Sequence, residues 1–307
     1  AGLQEGIQLL TSTERNGRNT RVILISDGLA NRGVTDPAAL GSMASAGAER
    51  GLGVSTIGVG LDFNEHLMTA IADKGCGNYT FMESPAAFAQ VFEAELRSSK
   101  AVVASSVEVH LPLGPGISLV HAAGYPIEMR DGFAVLRPGD LLSGQSRKLF
   151  LTYRLPTADE KTWEIGTPSV HYRAGEQSCN VTGPPPLRVT CVREASDAVA
   201  SIHKSEWEQK VIREDYSRLR EEVAAAVKGG KREEAMKQID AYAASQQAVN
   251  TAVGSQIVSG NLEKDLGALR RTVEDSFAGP PAEAAMKQKA NSKSLQYEGY
   301  QERRSKK

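Results

Sequence analysis

The chain is 307 residues long with a formal net charge of −1, so its average charge carries no signal for nucleic acid or for acidic substrates. That length is enough for a sizeable core and two or three domains. No run of eighteen apolar residues occurs, so no segment reads as a membrane-spanning helix. Aromatic residues make up only 6%, which suits α/β layers with close helix packing.

Residues 1–99 alternate helical and strand patterns. Leu3, Ile7 and Leu10 lie at helical spacing. Arg21-Val22-Ile23-Leu24-Ile25-Ser26 is a continuous apolar run, as expected of a strand buried on both faces, and Asp27-Gly28 ends it. Asp36-Pro37 reads as an N-cap followed by proline at the first helical position, and Gly51 and Gly53 break that helix. Val54 to Gly60 is the second strand, residues 64–73 a helix with Asn64 as its cap, and residues 78–82 the third strand. Ser84-Pro85 then starts a helix in which Phe88, Phe92 and Leu96 form an i, i+4 stripe. Strand–helix alternation at this spacing predicts parallel βαβ units.

Further along, Val107-Glu108-Val109-His110-Leu111 alternates with period two, and short strand patterns recur at 117–121, 132–136, 148–154, 163–165, 169–173 and 187–192, separated by Gly/Pro/Asp turns. This predicts an antiparallel β-sandwich over 100–194. Helical periodicity takes over at 195–278, with Trp207, Val211, Leu219, Val223 and Val227 on one face, then Ala235, Ile239, Tyr242 and Val249, then Leu262, Leu266, Leu269, Val273 and Phe277. A helical hairpin or small bundle is expected. Residues 279–307 open with Gly279-Pro280-Pro281, and from 282 onward hold seven Lys/Arg against three Glu, with few apolar groups. They read as a basic, disordered tail that could make weak contact with an anionic membrane surface.

Three cysteines are present. Cys179 and Cys191 flank the turn-rich stretch Asn180-Val181-Thr182-Gly183-Pro184-Pro185-Pro186, which leaves two readings. A disulfide would imply an oxidising compartment, and two free thiols would not. No CxxC pair occurs and the five histidines are scattered, which argues against a zinc site. No Gly-x-Ser-x-Gly elbow appears. Gly58-Val59-Gly60 opens like a dinucleotide fingerprint, but Phe63 stands where the third glycine belongs.

The segments Ile25-Ser26-Asp27-Gly28-Leu29-Ala30-Asn31, Gly53-Val54-Ser55-Thr56-Ile57-Gly58-Val59-Gly60 and Gly75-Cys76-Gly77-Asn78-Tyr79 together resemble the von Willebrand factor type A family in order, spacing and residue type. The resemblance covers about residues 1–99. The pattern Gly139-Asp140-Leu141-Leu142-Ser143-Gly144-Gln145 and the basic tail resemble, more weakly, the bacterial cell-envelope proteins that carry this domain. Such a resemblance implies the carboxyl-terminal half of a doubly wound, Rossmann-like α/β sheet, followed by the β-sandwich and the helical segment.

It also implies a binding protein and not an enzyme. The family's adhesion site holds Mg²⁺ or Mn²⁺ through an Asp-x-Ser-x-Ser loop, a Thr and an Asp, and leaves one position for an acidic side chain of a protein partner. Hard cations want such oxygen ligands. Asp27 matches the Asp, with Gly28 and Asn31 on the expected partner-binding rim. No Asp-x-Ser-x-Ser precedes Asp27, so the chain reads as truncated within the domain, and with one ligand it is expected to bind no metal itself. The expected function is protein–protein binding or scaffolding, divalent-cation dependent in a complete domain, at the cell envelope, periplasmic or extracellular, with no nucleic-acid partner. The alternatives are a cytoplasmic partner of an ATPase or chelatase assembly, and an enzyme on a nucleotide-binding doubly wound domain.

Overall fold

A computed structural model describes residues 2–13, 19–30, 33–100 and 102–304. The chain forms two compact units, one running to Pro156 and including Thr162–Val189, the other made of Thr157–Lys161 and the chain from Thr190.

The first unit begins with helix α1 (Gly2–Thr11), strand β1 (Thr20–Ser26), helix α2 (Pro37–Glu49), strand β2 (Leu52–Val59), helix α3 (Glu65–Lys74), strand β3 (Cys76–Met82) and helix α4 (Phe88–Lys100). The strands pair in parallel in the order β1-β2-β3, with Thr20 opposite Leu52 and Ser26 opposite Gly58. The caps read from sequence form as expected. The Asp36 carboxylate accepts the Ala39 N–H at 2.7 Å, and the Asn64 side chain accepts the Leu67 N–H at 3.1 Å. Leu3, Ile7, Leu40, Ala44, Leu52, Val54, Leu67 and Ile71 make one apolar cluster, against which Val22 and Leu24 pack. Two motif glycines are fixed by close approach. A Cβ on Gly58 would lie 2.2 Å from the Phe63 ring, and one on Gly77 would lie 2.1 Å from the Val54 carbonyl oxygen.

The stripe Phe88–Phe92–Leu96 is not what seats α4. Those side chains are 38%, 42% and 48% exposed, and α4 is held to the sheet through the buried Glu95. Ile25 on β1 is also exposed, at 46%. Side chains alternate along a strand, so Ile25 shares the face from which Arg21 reaches Glu95 of α4.

The same unit continues through strands β4 (Val102–Pro112), β5 (Ser118–Ala122), β6 (Glu128–Arg130), β7 (Phe133–Leu136), β8 (Leu141–Leu142), β9 (Leu151–Arg154), β10 (Thr162–Ile165), β11 (Ser169–Ala174), β12 (Gln177–Thr182) and β13 (Leu187–Thr190). One six-stranded sheet has the order β12-β11-β4-β7-β6 with β8 also on β4, and β5–β9 and β10–β13 are two-stranded ribbons. Leu111, Ala134 and Leu136 of the large sheet bury against Leu119 and Ala122 of the β5–β9 ribbon.

Cys179 and Cys191 do not face each other across one hairpin. Cys179 lies on β12, which pairs with β11, while the chain leading to Cys191 pairs with β10, and both thiols are free. The three prolines at 184–186 carry the chain away from β12 instead of folding it back, since proline cannot donate to a ladder.

The second unit holds helices α5 (Ala195–Ala200), α6 (Lys204–Lys210), α7 (Tyr216–Lys228), α8 (Arg232–Val253), α9 (Gln256–Gly260), α10 (Leu266–Ser276) and α11 (Pro281–Arg303). Helices α7, α8, α10 and α11 pack as a four-helix bundle around Leu219, Val223, Val227, Ile239, Leu266, Leu269, Val273 and Leu295. The expected disordered tail is therefore corrected. Pro281 sits at the first helical position of a 23-residue helix that buries Ala284, Leu295, Gly299 and Tyr300. A wide π-helical turn precedes α7 at Val211–Asp215, and another precedes α10 at Asn261–Asp265. Carbonyls in them are taken by tyrosines, with the Tyr242 hydroxyl donating to Val211 O at 3.3 Å and the Tyr216 hydroxyl to Asp265 O at 3.0 Å. No helix among the described residues is long and apolar enough to cross a membrane.

Candidate functional site

Asp27 follows the last residue of β1 and is exposed. The neighbouring Ser26 hydroxyl donates to the Gly28 carbonyl at 2.9 Å, which tightens the turn that presents Asp27 and Gly28. Asn31 lies outside the described residues. This rim is the carboxyl end of a parallel sheet, the edge at which open α/β sheets take ligands. It does not by itself fit a divalent ion. Among the described residues no three His, Cys, Asp or Glu side chains converge to hold a metal, and Asp27 offers a single carboxylate.

Two polar clusters, the first buried and the second partly exposed, lie elsewhere in the unit. In the first, Arg21 donates to Glu95 Oε1 at 2.7 Å, to Ser55 Oγ at 3.0 Å and to Asp140 Oδ2 at 2.6 Å. Ser55 Oγ and Asn78 Nδ2 also donate to the Glu95 carboxylate. Asp140 Oδ1 accepts the Ser106 N–H at 3.1 Å, and the Ser106 hydroxyl donates to Ala48 O at 2.6 Å. Burial works against the Glu95 carboxylate, but Arg21, Ser55 and Asn78 outweigh it and hold its pKa below the ordinary value. Every carboxylate oxygen here has a donor, so the cluster acts as a fastening among β1, α4 and the loop that carries Asp140.

The second cluster lies on the large sheet. Arg137 Nε donates to Glu108 Oε1 at 2.9 Å, and its Nη1 donates to Glu128 Oε2 at 2.6 Å. Arg130 and His110 reach the other Glu108 oxygen at 3.3 and 2.9 Å. Burial again opposes the Glu108 carboxylate, and His110, Arg137 and Arg130 pull its pKa down. Residues 108 and 110 share a face by the period-two pattern that the sequence showed. The sequence could not show that β11 pairs antiparallel with β4, setting Ser169 opposite His110 and His171 opposite Glu108. That register brings the His110 and His171 rings to 4.2 Å between centroids, tilted by 41°, so two of the scattered histidines are neighbours.

No family model matches the chain. It is 34% identical over 116 residues to the uncharacterized protein YfbK of Escherichia coli (strain K12), a match covering 38% of this chain and 20% of that protein. It is 26% identical over 203 residues to the uncharacterized protein sll0103 of Synechocystis sp. (strain ATCC 27184 / PCC 6803 / Kazusa), covering 61% of this chain and 48% of that protein. The matches thus span between a fifth and a half of these relatives. Among solved structures, a von Willebrand factor type A protein from Catenulispora acidiphila superposes with a TM-score of 0.62 at 13% identity, over 97% of this chain and 68% of that one. The chain has a von Willebrand factor type A fold. The ArnB paralog VWA2 from Sulfolobus acidocaldarius is also similar, with a TM-score of 0.44 at 17% identity, over 95% of this chain and 67% of that one.

On the von Willebrand factor type A fold, Asp27 and Gly28 occupy the turn after β1, and the sequence motif Gly139-Asp140 acquires a physical role. Asp140 is the acceptor through which Arg21 reaches from the parallel sheet to the β-rich part of the same unit. The motif was visible in sequence, but its partner lies 119 residues away.

Proposed function

We propose that the chain is a protein-interaction module and not an enzyme, and that it presents the rim around Asp27 and Gly28 to a protein partner carrying an acidic side chain. The observation that supports this is the position of Asp27, an exposed carboxylate just past the carboxyl end of a parallel strand in a von Willebrand factor type A fold. Dependence on Mg²⁺ or Mn²⁺ is proposed only for a polypeptide in which further oxygen donors join Asp27. The cell envelope is the proposed setting.

The test is a thermal-shift titration with Mg²⁺ and Mn²⁺ of a polypeptide that carries such further donors. The expected result is stabilisation that Asp27→Asn abolishes. If there is no response, or if Asp27→Asn leaves it intact, the cation-dependent reading is wrong. A partner pull-down with that polypeptide that is unchanged by EDTA counts against it as well.

Cys179 and Cys191, unbonded here and on differently paired strands, bear on a second reading of the compartment. In that reading the chain is a cytoplasmic partner of an ATPase assembly. Alkylation of the isolated, non-reduced protein decides the thiol question. Two native-state labels support the cytoplasmic version, and a blocked pair supports the envelope.

A further inference from the structure

At the amino end of the parallel sheet, opposite the Asp27 rim, a cleft of about 270 Å³ is lined by Glu49 at the end of α2, Glu108 on β4, Arg130 on β6, Arg137 just after β7, and His171 and Arg173 on β11. We propose that this cleft is a second docking site, which takes the carboxylate of an acidic side chain from a protein partner.

The charge inventory carries the argument. Three guanidinium groups and two carboxylates line the cleft, and Glu128, just outside the lining, pairs with Arg137 at 2.6 Å and Arg130 at 3.5 Å, so the uncompensated cation is Arg173. Glu108 is saturated by Arg137, Arg130 and His110, and Glu128 satisfies Arg137 from outside the cleft. Glu49 is a loose partner, 55% exposed, at 3.5 Å from Arg137 and 3.9 Å from Arg130. Arg173 has no carboxylate at ion-pair distance among the described residues, and its Nη2 donates only to the Glu176 carbonyl at 3.1 Å. The cleft thus already holds a weakly bound carboxylate of its own chain, with a spare guanidinium beside it. A carboxylate from outside can take the fork geometry that Glu49 does not reach and add Arg173.

The cleft is smaller than the roughly 300–1,000 Å³ of small-molecule sites, which suits a single inserted side chain better than a cofactor. The carboxyl terminus of α2 would repel an anion, but its Ala48 carbonyl is already taken by the Ser106 hydroxyl. The site is independent of any metal at Asp27.

The experiment is fluorescence anisotropy of a fluorescein-labelled hexaglutamate peptide titrated with the full chain at low salt. Binding should weaken about tenfold in Arg173→Gln, the loss of one charge-assisted contact. It should tighten severalfold in Glu49→Gln, which removes the competing carboxylate, and stay within twofold in Asp27→Asn. Arg173 and Glu49 are partly exposed, so both variants should keep the wild-type melting curve, and Arg173→Lys should recover part of the affinity. No peptide binding by the wild type, no loss in Arg173→Gln, or no gain in Glu49→Gln overturns the proposal. Displacement by inorganic phosphate at concentrations equal to those of free glutamate side chains overturns the assignment to a protein carboxylate. A failed cation response at Asp27 would leave all these outcomes unchanged, so the two sites fail separately.

Discussion

Arg21 and Asp140 lie 119 residues apart in sequence and are joined by a 2.6 Å charge-assisted hydrogen bond, with both side chains about nine-tenths buried. Arg21 simultaneously holds Glu95, so removing it strands two buried carboxylates together. Breaking a buried pair from one side costs about 3–5 kcal/mol. Arg21→Ala should therefore lower the urea stability of the first unit by an amount in that range. Arg21→Lys should recover only part of the loss, because one ammonium cannot serve two carboxylates with a fork. A loss under about 1 kcal/mol in Arg21→Ala would mean that water replaces the guanidinium without cost.

The same carboxylates set an acid limit. Glu95 and Glu108 both have pKa values held below the ordinary 4.5 in the folded chain. A depressed folded pKa gives stability that is fully present above the unfolded value and is lost as pH falls through the folded one. The first unit should then be insensitive to these groups above pH 4.5 and weaken as the pH drops below it. Glu95→Gln should flatten part of that dependence while lowering stability at neutral pH. Parallel melting curves for wild type and variant across the acid range would sink this account.

Cys76 gives a contrast within one protein. Burial, then the nearby Asp140, push its thiol up to about 12, so thiolate is scarce at neutral pH. Cys179 and Cys191 are only partly buried. Timed labelling with an alkylating reagent should modify two cysteines in the native protein, and the third only on unfolding. Fast native labelling of Cys76 would show that its end of β3 opens readily.

Phe88, Phe92 and Leu96 form an exposed apolar stripe on α4, and Ile25 is exposed on β1, which ends the described sheet. Open apolar edges promote association. Phe92→Lys should reduce concentration-dependent light scattering and change folding stability by less than about 1 kcal/mol, since the site is exposed. Unchanged scattering would place the association surface elsewhere.

Much of this was legible in the sequence because local chemistry dictated it. Asp36 and Asn64 cap helices, and the apolar run into Ser26 is a parallel strand, although its side chains are only partly buried where burial on both faces was expected. The end of β1 just before Asp27 was legible for the same reason. What escaped depends on contacts distant in sequence. Arg21, Glu95 and Asp140 look like ordinary surface charges until the fold brings them together, and His110 and His171 become neighbours only through the register of β4 and β11. The α4 stripe misled in the opposite direction, because apolar periodicity shows which face of a helix is greasy but not whether anything covers it.

The sequence 279–307 failed as a reading for a different physical reason, which supplies the last prediction. Charge and a shortage of large apolar residues suggested a solvated tail, yet α11 packs closely on α7 by means of small residues. A Cβ on Gly299 would lie 2.7 Å from the Ser217 carbonyl oxygen and 3.0 Å from the Glu221 side chain. Gly299 lets the two helices approach, while Leu295 anchors α11 in the bundle core. Gly299→Leu should overpack this contact and destabilise the second unit by about 1–3 kcal/mol, even though leucine is the better helix former. Leu295→Ala should cost about 2–5 kcal/mol by leaving a cavity in the bundle. Circular dichroism melts of the two variants test the packing directly. If Gly299→Leu raises the melting temperature, helix propensity dominates and the close α7–α11 contact contributes little to holding the bundle.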